Sequence, residues 1–209
     1  MPAPPVRVGH MTDSLASSFS ASLPEWLRAE LDTIPGYLPT AEDRVGLVNR
    51  LADRNWREGN GGPFAAAVVD TESGKVVSVG VNVVLSSGLS STHAEVVALS
   101  LAQVRAGDWD LGATLHLQLV VNWRPCAMCY GALIWSGVRH LLIAGSGPEC
   151  ENLTGFDEGP MHAHWADELE ARGIGVVEGV LRDEAIEVFA EYGRSDATVY
   201  NARGSGAIH

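Results

Sequence analysis

The chain is short of positive charge. Fourteen Lys and Arg stand against 26 Asp and Glu, leaving a formal net charge of −12. A protein that grips DNA or RNA neutralises phosphates with basic side chains, so this balance points away from a nucleic-acid partner. Cysteine is scarce too. Three are too few, and too odd a number, for a disulfide scaffold. Two of them are spaced C-x-x-C, which in a reducing compartment signals metal or redox chemistry. No apolar run approaches the roughly 18 residues of a membrane span. The opening MPAPPVRVGHMTDS lacks the apolar centre of a signal peptide. A soluble, cytoplasmic protein with no membrane partner is expected. The first 22 residues or so, rich in Pro and Ser, show no periodicity and read as a flexible arm, with Met11 as an alternative start.

What is present is a core. Of 209 residues 46% are hydrophobic, enough for one globular domain. An amphipathic segment over Leu23–Leu31 ends before Pro35, giving a leading arm over 1–39, partly flexible and with a short helix. The domain proper covers 40–209. Thr40 followed by Asp43 predicts a capped helix start, and Val45, Leu47, Val48, Leu51 and Ala52 supply its apolar stripe. Phe64–Asp70 and Val76–Val84 read as a hairpin across TESGK. Then come a helix from about His93 to Ala106, a strand Thr114–Val121, a helix Cys126–Ser136 and a strand His140–Ala144. A long polar loop over 145–160, a helix 161–172, a strand 174–181 and a helix 182–193 complete the core, with a small-residue tail to 209. A hairpin followed by βαβ units predicts an α/β fold, a three-layer α/β/α sandwich around a mixed sheet of about five strands.

The chemistry concentrates at His93-Ala94-Glu95 and Pro125-Cys126-Ala-Met-Cys129. Cysteines three apart at a helix start point the same way, and the positive helix end favours thiolates. Pro125 suits the helix beginning, and Ser91 or Thr92 could cap the helix at His93. One imidazole and two thiolates leave a fourth tetrahedral position for water, the mark of a catalytic zinc. Glu95, two residues from a ligand, can carry protons between water and leaving group. H-x-E with P-C-x-x-C is the general signature of zinc deaminases, in which the Glu is not a ligand. Cys150 has no partner motif and reads as a loop or core thiol. His116, His140, His162 and His164 lack ligand spacing and read as structural or solvent-facing.

Around these residues the chain resembles bacterial guanine deaminases of the cytidine-deaminase fold. The likeness runs through Gly61-Gly-Pro-Phe64, Asn82, the two metal motifs, Gly131–Trp135, Gly155-Phe-Asp-Glu158 and Val199-Tyr-Asn-Ala-Arg203, over about residues 40–209. The resemblance implies zinc-dependent hydrolysis of guanine to xanthine and ammonia, as in purine breakdown. It implies Glu95 and Glu158 as the two proton carriers, and Asn82 as the amide that bonds the base. Phe64 and Trp135 would shape or stack on the ring beside Ala94, and the C-terminal tail would close over it. It also implies a homodimer with exchanged C-terminal elements. The chain departs from the family at Asn122-Trp123-Arg124, where a small residue and Glu usually precede the Pro-Cys. Trp123 and Arg124 are expected near the base, so isoguanine, 8-oxoguanine, cytosine or an amino-triazine stay open beside guanine. Two other classes are a tRNA-adenosine editing deaminase, which the acidic stretch 145–170 disfavours, and a non-catalytic zinc module, which would not need Glu95.

Overall fold

The computed structural model describes residues 15–113 and 116–202. A short helix α1 (Glu25–Glu30) precedes α2 (Ala41–Arg57). The start of α2 is closed reciprocally. The Asp43 N–H donates to the Thr40 hydroxyl at 3.0 Å, and the Thr40 N–H donates to the Asp43 carboxylate at 3.2 Å, satisfying groups that a helix start leaves open. Leu23, Leu27 and Leu38 are buried in one core with Val45, Val48 and Ala52, so the leading segment lends three leucines to the α2 core.

The strands β1 (Ala65–Asp70) and β2 (Val76–Val81) form the expected hairpin. After them come α3 (Val84–Ser87), α4 (Ala94–Ala106), β3 (Leu117–Val121), α5 (Ala127–Ser136) and β4 (His140–Ile143). The chain continues through α6 (Glu149–Thr154), α7 (Trp165–Glu170), β5 (Gly175–Val177) and α8 (Arg182–Gly193). The five-stranded sheet runs β2-β1-β3-β4-β5, with β1 antiparallel to both neighbours and β3, β4 and β5 parallel. Alternation assigns each strand's side chains to two layers. Ala65, Ala67, Val69, Val120 and Leu142 meet α1, α2 and α8; Ala66, Val68, Leu119, Val121 and Leu141 meet α4, α5 and α7. This is the expected three-layer sandwich on a mixed sheet. A Cβ at Gly80 would lie 2.4 Å from the Ala94 carbonyl oxygen and 2.5 Å from the Ala98 nitrogen, so only glycine lets α4 lie this close to β2.

Several boundaries differ from those read in the sequence. The second strand ends at Val81, because the Asn82 side-chain oxygen accepts the Val84 N–H at 3.2 Å and turns the chain into α3. Strand β3 starts at Leu117; Thr114 lies outside the described residues. The stretch 145–160 is not all loop. It contains α6, with Glu149 and Glu151 in its first turn and Gly155 closing it at φ 78°, both features that favour a short helix. Helix 161–172 contracts to α7, because the His162 ring accepts the His164 N–H at 3.2 Å and holds a turn there. Strand 174–181 contracts to β5, since Gly179 and Leu181 take positive φ. Among the described residues no helix is long and apolar enough to cross a membrane.

Candidate metal centre

Two helix starts bring the ligand set together. His93 is the N-cap residue of α4 and Cys126 that of α5, with Cys129 one turn inside α5. Pro125 therefore lies one residue outside the helix rather than at its first position. Thr92 does not cap α4; its hydroxyl donates to the Leu89 carbonyl at 2.6 Å. Neither N-cap side chain bonds its own helix, which leaves imidazole and thiol free to face each other. The donor atoms of His93, Cys126 and Cys129 all lie within 4.8 Å of one another, and Cys126 Sγ is 3.5 Å from His93 Nδ1.

The electrostatics suit a cation. The hydrogen bond from Cys129 draws the Cys126 thiol down to about 4; burial opposes this, and the bonded His93 ring adds to it. The same hydrogen bond, then burial and the charge of Glu95, push Cys129 well up. Burial works against a charged His93, but the Cys126 bond and the Glu95 and Glu158 carboxylates outweigh it and raise its pKa. A thiolate, a second thiol sharing its proton and an imidazole at this spacing are a soft S₂N donor set of the kind that holds zinc.

Two carboxyls flank the set. Glu95 lies in the first turn of α4 and is 5% exposed; burial and then the Cys126 thiolate raise its pKa. Glu158 comes from the Gly155–Glu158 loop, whose backbone is held at α5 where the Ala127 N–H donates to the Glu158 carbonyl at 3.0 Å. Burial first, then the charges of Cys126 and Glu95, push the Glu158 carboxyl up to about 8. Both environments raise the carboxyl, and at about 8 Glu158 is the one that holds its proton near neutral pH.

Asn82 is fully buried. Its side-chain oxygen serves Val84 and its backbone carbonyl accepts from the Asn55 amide at 2.8 Å, while its Nδ2, near the Tyr200 hydroxyl, makes no well-formed hydrogen bond among the described residues. Gly61 permits this placement, since a Cβ there would lie 2.3 Å from the Asn82 side-chain oxygen. Phe64 is partly exposed at the seam between the two cores, with Phe156 at 5.4 Å and Phe189 at 5.8 Å. Ala94 is buried between His93 and Glu95.

Other expected positions lie elsewhere. Trp123 faces the α2–α8 core. It is 2% exposed, packed edge-on to Phe189 at 5.2 Å under the Arg182 guanidinium, where its apolar area is best buried. Trp135 is 81% exposed in the last turn of α5. Nine residues beyond Cys126 is about 13 Å along a helix axis, too far to stack on a ring at its own chain's metal set. Arg124 is half-buried, its N–H on the Gly145 carbonyl at 2.9 Å and its Nε unpartnered among the described residues. Cys150 is a core thiol.

Residues that spacing did not reveal complete the surroundings. Asn55 Nδ2 donates to the Gly62 and Asn82 carbonyls, and Asn122 clasps the Pro63 carbonyl and the Ala65 N–H, both at 3.0 Å. In the tail, the Gly62 N–H donates to the Tyr200 hydroxyl at 3.3 Å. Asn201 bonds the Asp157 N–H and the Gly155 carbonyl at 3.0 and 2.8 Å. The tail thus lies over the Gly61–Phe64 and Gly155–Glu158 loops; Arg203 falls outside the described residues.

A His/Cys/Cys centre between two helix starts, with two raised carboxyls beside it on a mixed sheet, defines a zinc hydrolase site. Residues 40–144 match the family described as the cytidine and deoxycytidylate deaminase zinc-binding region. The chain belongs to that family and is a zinc-dependent hydrolytic deaminase. It is similar to the guanine deaminase of Bacillus subtilis strain 168, 30% identical over 124 residues, covering 59% of this chain and 76% of that protein. It is also similar to a solved guanine deaminase from Nitrosomonas europaea, at 42% identity and a TM-score of 0.78 over 88% of this chain and 99% of that one. A further chain, solved in complex with 2,6-diaminopurine, superposes with a TM-score of 0.81 at 42% identity, covering 89% of this chain and 98% of that one.

Proposed function

We propose that the enzyme hydrolyses a free purine base bearing a 2-amino group, guanine first, to xanthine and ammonia. The observation that carries this reading is the pair of raised carboxyls, buried Glu95 and half-buried Glu158, beside the His93/Cys126/Cys129 set. Zinc, when bound, supplies a Lewis acid that makes water nucleophilic near neutral pH. Glu95 takes a proton from the attacking water and passes it to the ring. Glu158, raised to about 8, holds a proton at neutral pH and delivers it to the departing amine. Asn82 offers its free Nδ2–H to an acceptor on the base, and Phe64 walls one side of the ring. The two guanine deaminases and the diaminopurine complex support a purine over a pyrimidine. The active unit is taken as residues 40–209, with 1–39 as a leading segment from which Leu23 and Leu27 enter its core.

The test is ammonia release from zinc-loaded enzyme across guanine, 2,6-diaminopurine, isoguanine, 8-oxoguanine, cytosine, an amino-triazine, the matching nucleosides and tRNA. Guanine should be fastest and nucleosides poor. Turnover of cytosine with guanine untouched, or of tRNA alone, would overturn the assignment. Glu95→Gln should keep its zinc and lose about 10²–10⁴ in rate; a variant within a few-fold of wild type would remove Glu95 from the chemistry.

The same reading makes the enzyme a homodimer. Met128, Gly131 and Trp135 form an exposed apolar stripe on α5, where a Cβ at Gly131 would meet nothing, and Trp109 is 75% exposed near the end of that helix. A second copy packed here would cover both tryptophans. Tail exchange would require releasing the Tyr200 and Asn201 bonds that this chain makes within itself. Trp135→Glu should convert a dimer to a monomer in sedimentation; an unchanged mass would refute this interface.

A further inference from the structure

Away from the metal centre, at the free edge of the sheet, lies a cavity of about 420 Å³. The segment around the 3-10 turn Leu31–Thr33 forms one wall, with Leu23, Leu31 and Ile34; β2 forms the floor with Val77 and Val79; α4 closes the far side with Leu101. Its volume lies within the range of small-molecule sites. Its only charged lining residues are Lys75 and Arg105. Neither forms an ion pair with a described residue in a chain of net charge −12, and Lys75 is the only lysine in the sequence. Asp70, which shares a neighbouring hollow with both cations, keeps its carboxylate on the N–H groups of Glu72 and Ser73, each at 2.9 Å.

The Val76–Val77 stretch of the edge is closed to a further strand. The Val76 N–H donates to the Gly36 carbonyl at 3.1 Å, and Arg105 caps the Val76 and Val77 carbonyls at 3.2 and 2.7 Å. A peptide adding by backbone pairing would need those groups free. What remains is an apolar trough with two cations at one end.

We propose that this cavity binds a small amphipathic monocarboxylate, its chain on the valine and leucine floor and its carboxylate at Lys75 and Arg105. The site is separate from the deaminase chemistry. Leu101 lies six residues, almost two turns, beyond Glu95 on α4, so the proposal stands whichever base is the substrate.

Reductive methylation with ¹³C-formaldehyde labels Lys75 and the amino terminus while keeping their charge. Titrating the zinc-loaded full chain with octanoate should shift the Lys75 methyl resonance saturably at one site per chain. By calorimetry octan-1-ol should bind at least about tenfold more weakly, the fold-change a lost carboxylate contact of about 1.4 kcal/mol gives. Leu101→Trp, which fills the trough, should abolish the shift. Lys75→Glu, an exposed substitution, should weaken octanoate about tenfold or more, with zinc content and ammonia release as in wild type. The proposal is overturned by no saturable shift at millimolar octanoate or by equal affinity for octanoate and octan-1-ol. It is equally overturned by unchanged binding to Leu101→Trp or Lys75→Glu, or by a shift that follows protein concentration alone, which would place a second copy in the trough.

Discussion

Replacing Asn82 by alanine separates a recognition role from a structural one. The Asn82 side-chain oxygen accepts one backbone N–H at 3.2 Å, from Val84, while Nδ2 is buried with no partner among the described residues. An unpaired buried amide donor costs about 1–3 kcal/mol. A base acceptor placed against Nδ2 recovers that cost, so in the wild type the benefit appears on binding. In Asn82→Ala the unpaired donor and the base contact disappear together. Losing the Val84 bond costs about 1 kcal/mol, which removal of the unpaired donor largely offsets, so stability should stay within about 1 kcal/mol of wild type. The kcat/KM should fall by the value of the base contact, roughly 5–150-fold for about 1–3 kcal/mol. The assay is steady-state ammonia release with guanine, alongside urea unfolding and zinc analysis. A rise in KM with kcat unchanged would mean the amide holds ground state and transition state alike. A kcat/KM within twofold of wild type in a folded, zinc-loaded variant refutes the reasoning. So does a stability loss above about 3 kcal/mol, which would make Asn82 a bracket for the β2–α3 turn.

Two further outcomes follow from the centre. Cys126→Ser should drop zinc from about one per chain to near none and abolish turnover, read by elemental analysis and ammonia release; retained metal and rate would place the ligands elsewhere. Glu158→Gln should keep zinc and cut turnover, and in the metal-free protein it should flatten the pH dependence of stability. The sign follows from a folded pKa of about 8 against a usual 4.5. The fold prefers the protonated carboxyl, so its contribution is full below pH 4.5 and lost as pH rises through about 8. The urea midpoint of the metal-free wild type should therefore fall across that window more steeply than that of Glu158→Gln; parallel curves would mean that Glu158 ionises freely.

The metal set was legible in the sequence because local geometry decides it. Cys126 and Cys129 share a helix face whatever the rest of the chain does, and His93 with Glu95 repeats the arrangement at a second helix start. The cap at Thr40 was legible for the same reason, its partner lying three residues away. Trp123 and Trp135 were harder to place because aromatic residues near a motif carry no sign of direction. The end of β3 turns Trp123 into the α2–α8 core, and the last turn of α5 leaves Trp135 on the surface. Helix α6 was hidden because six residues are too few to show a period against polar surroundings.

The least legible part is the one that shapes the base site. Gly61-Gly-Pro-Phe64 could be recognised as a motif, yet its sequence does not say why its backbone holds one course. In the fold, polar groups from other elements satisfy it one by one. Asn55 from α2 takes the Gly62 carbonyl, Tyr200 from the tail takes the Gly62 N–H, and Asn122 from the end of β3 takes the Pro63 carbonyl and the Ala65 N–H. Buried backbone groups must find partners, and here no regular ladder reaches them, so three side chains from three elements do it instead. Asn55 carries no mark of its role within the α2 sequence, and Asn122 reads there as a departure from the family pattern. Both are accounted for by the loop they hold. Because Gly61 in that loop lies against Asn82 and Phe64 ends it, the residues that fix the loop also fix where an unpaired amide and an aromatic wall stand relative to the zinc ligands.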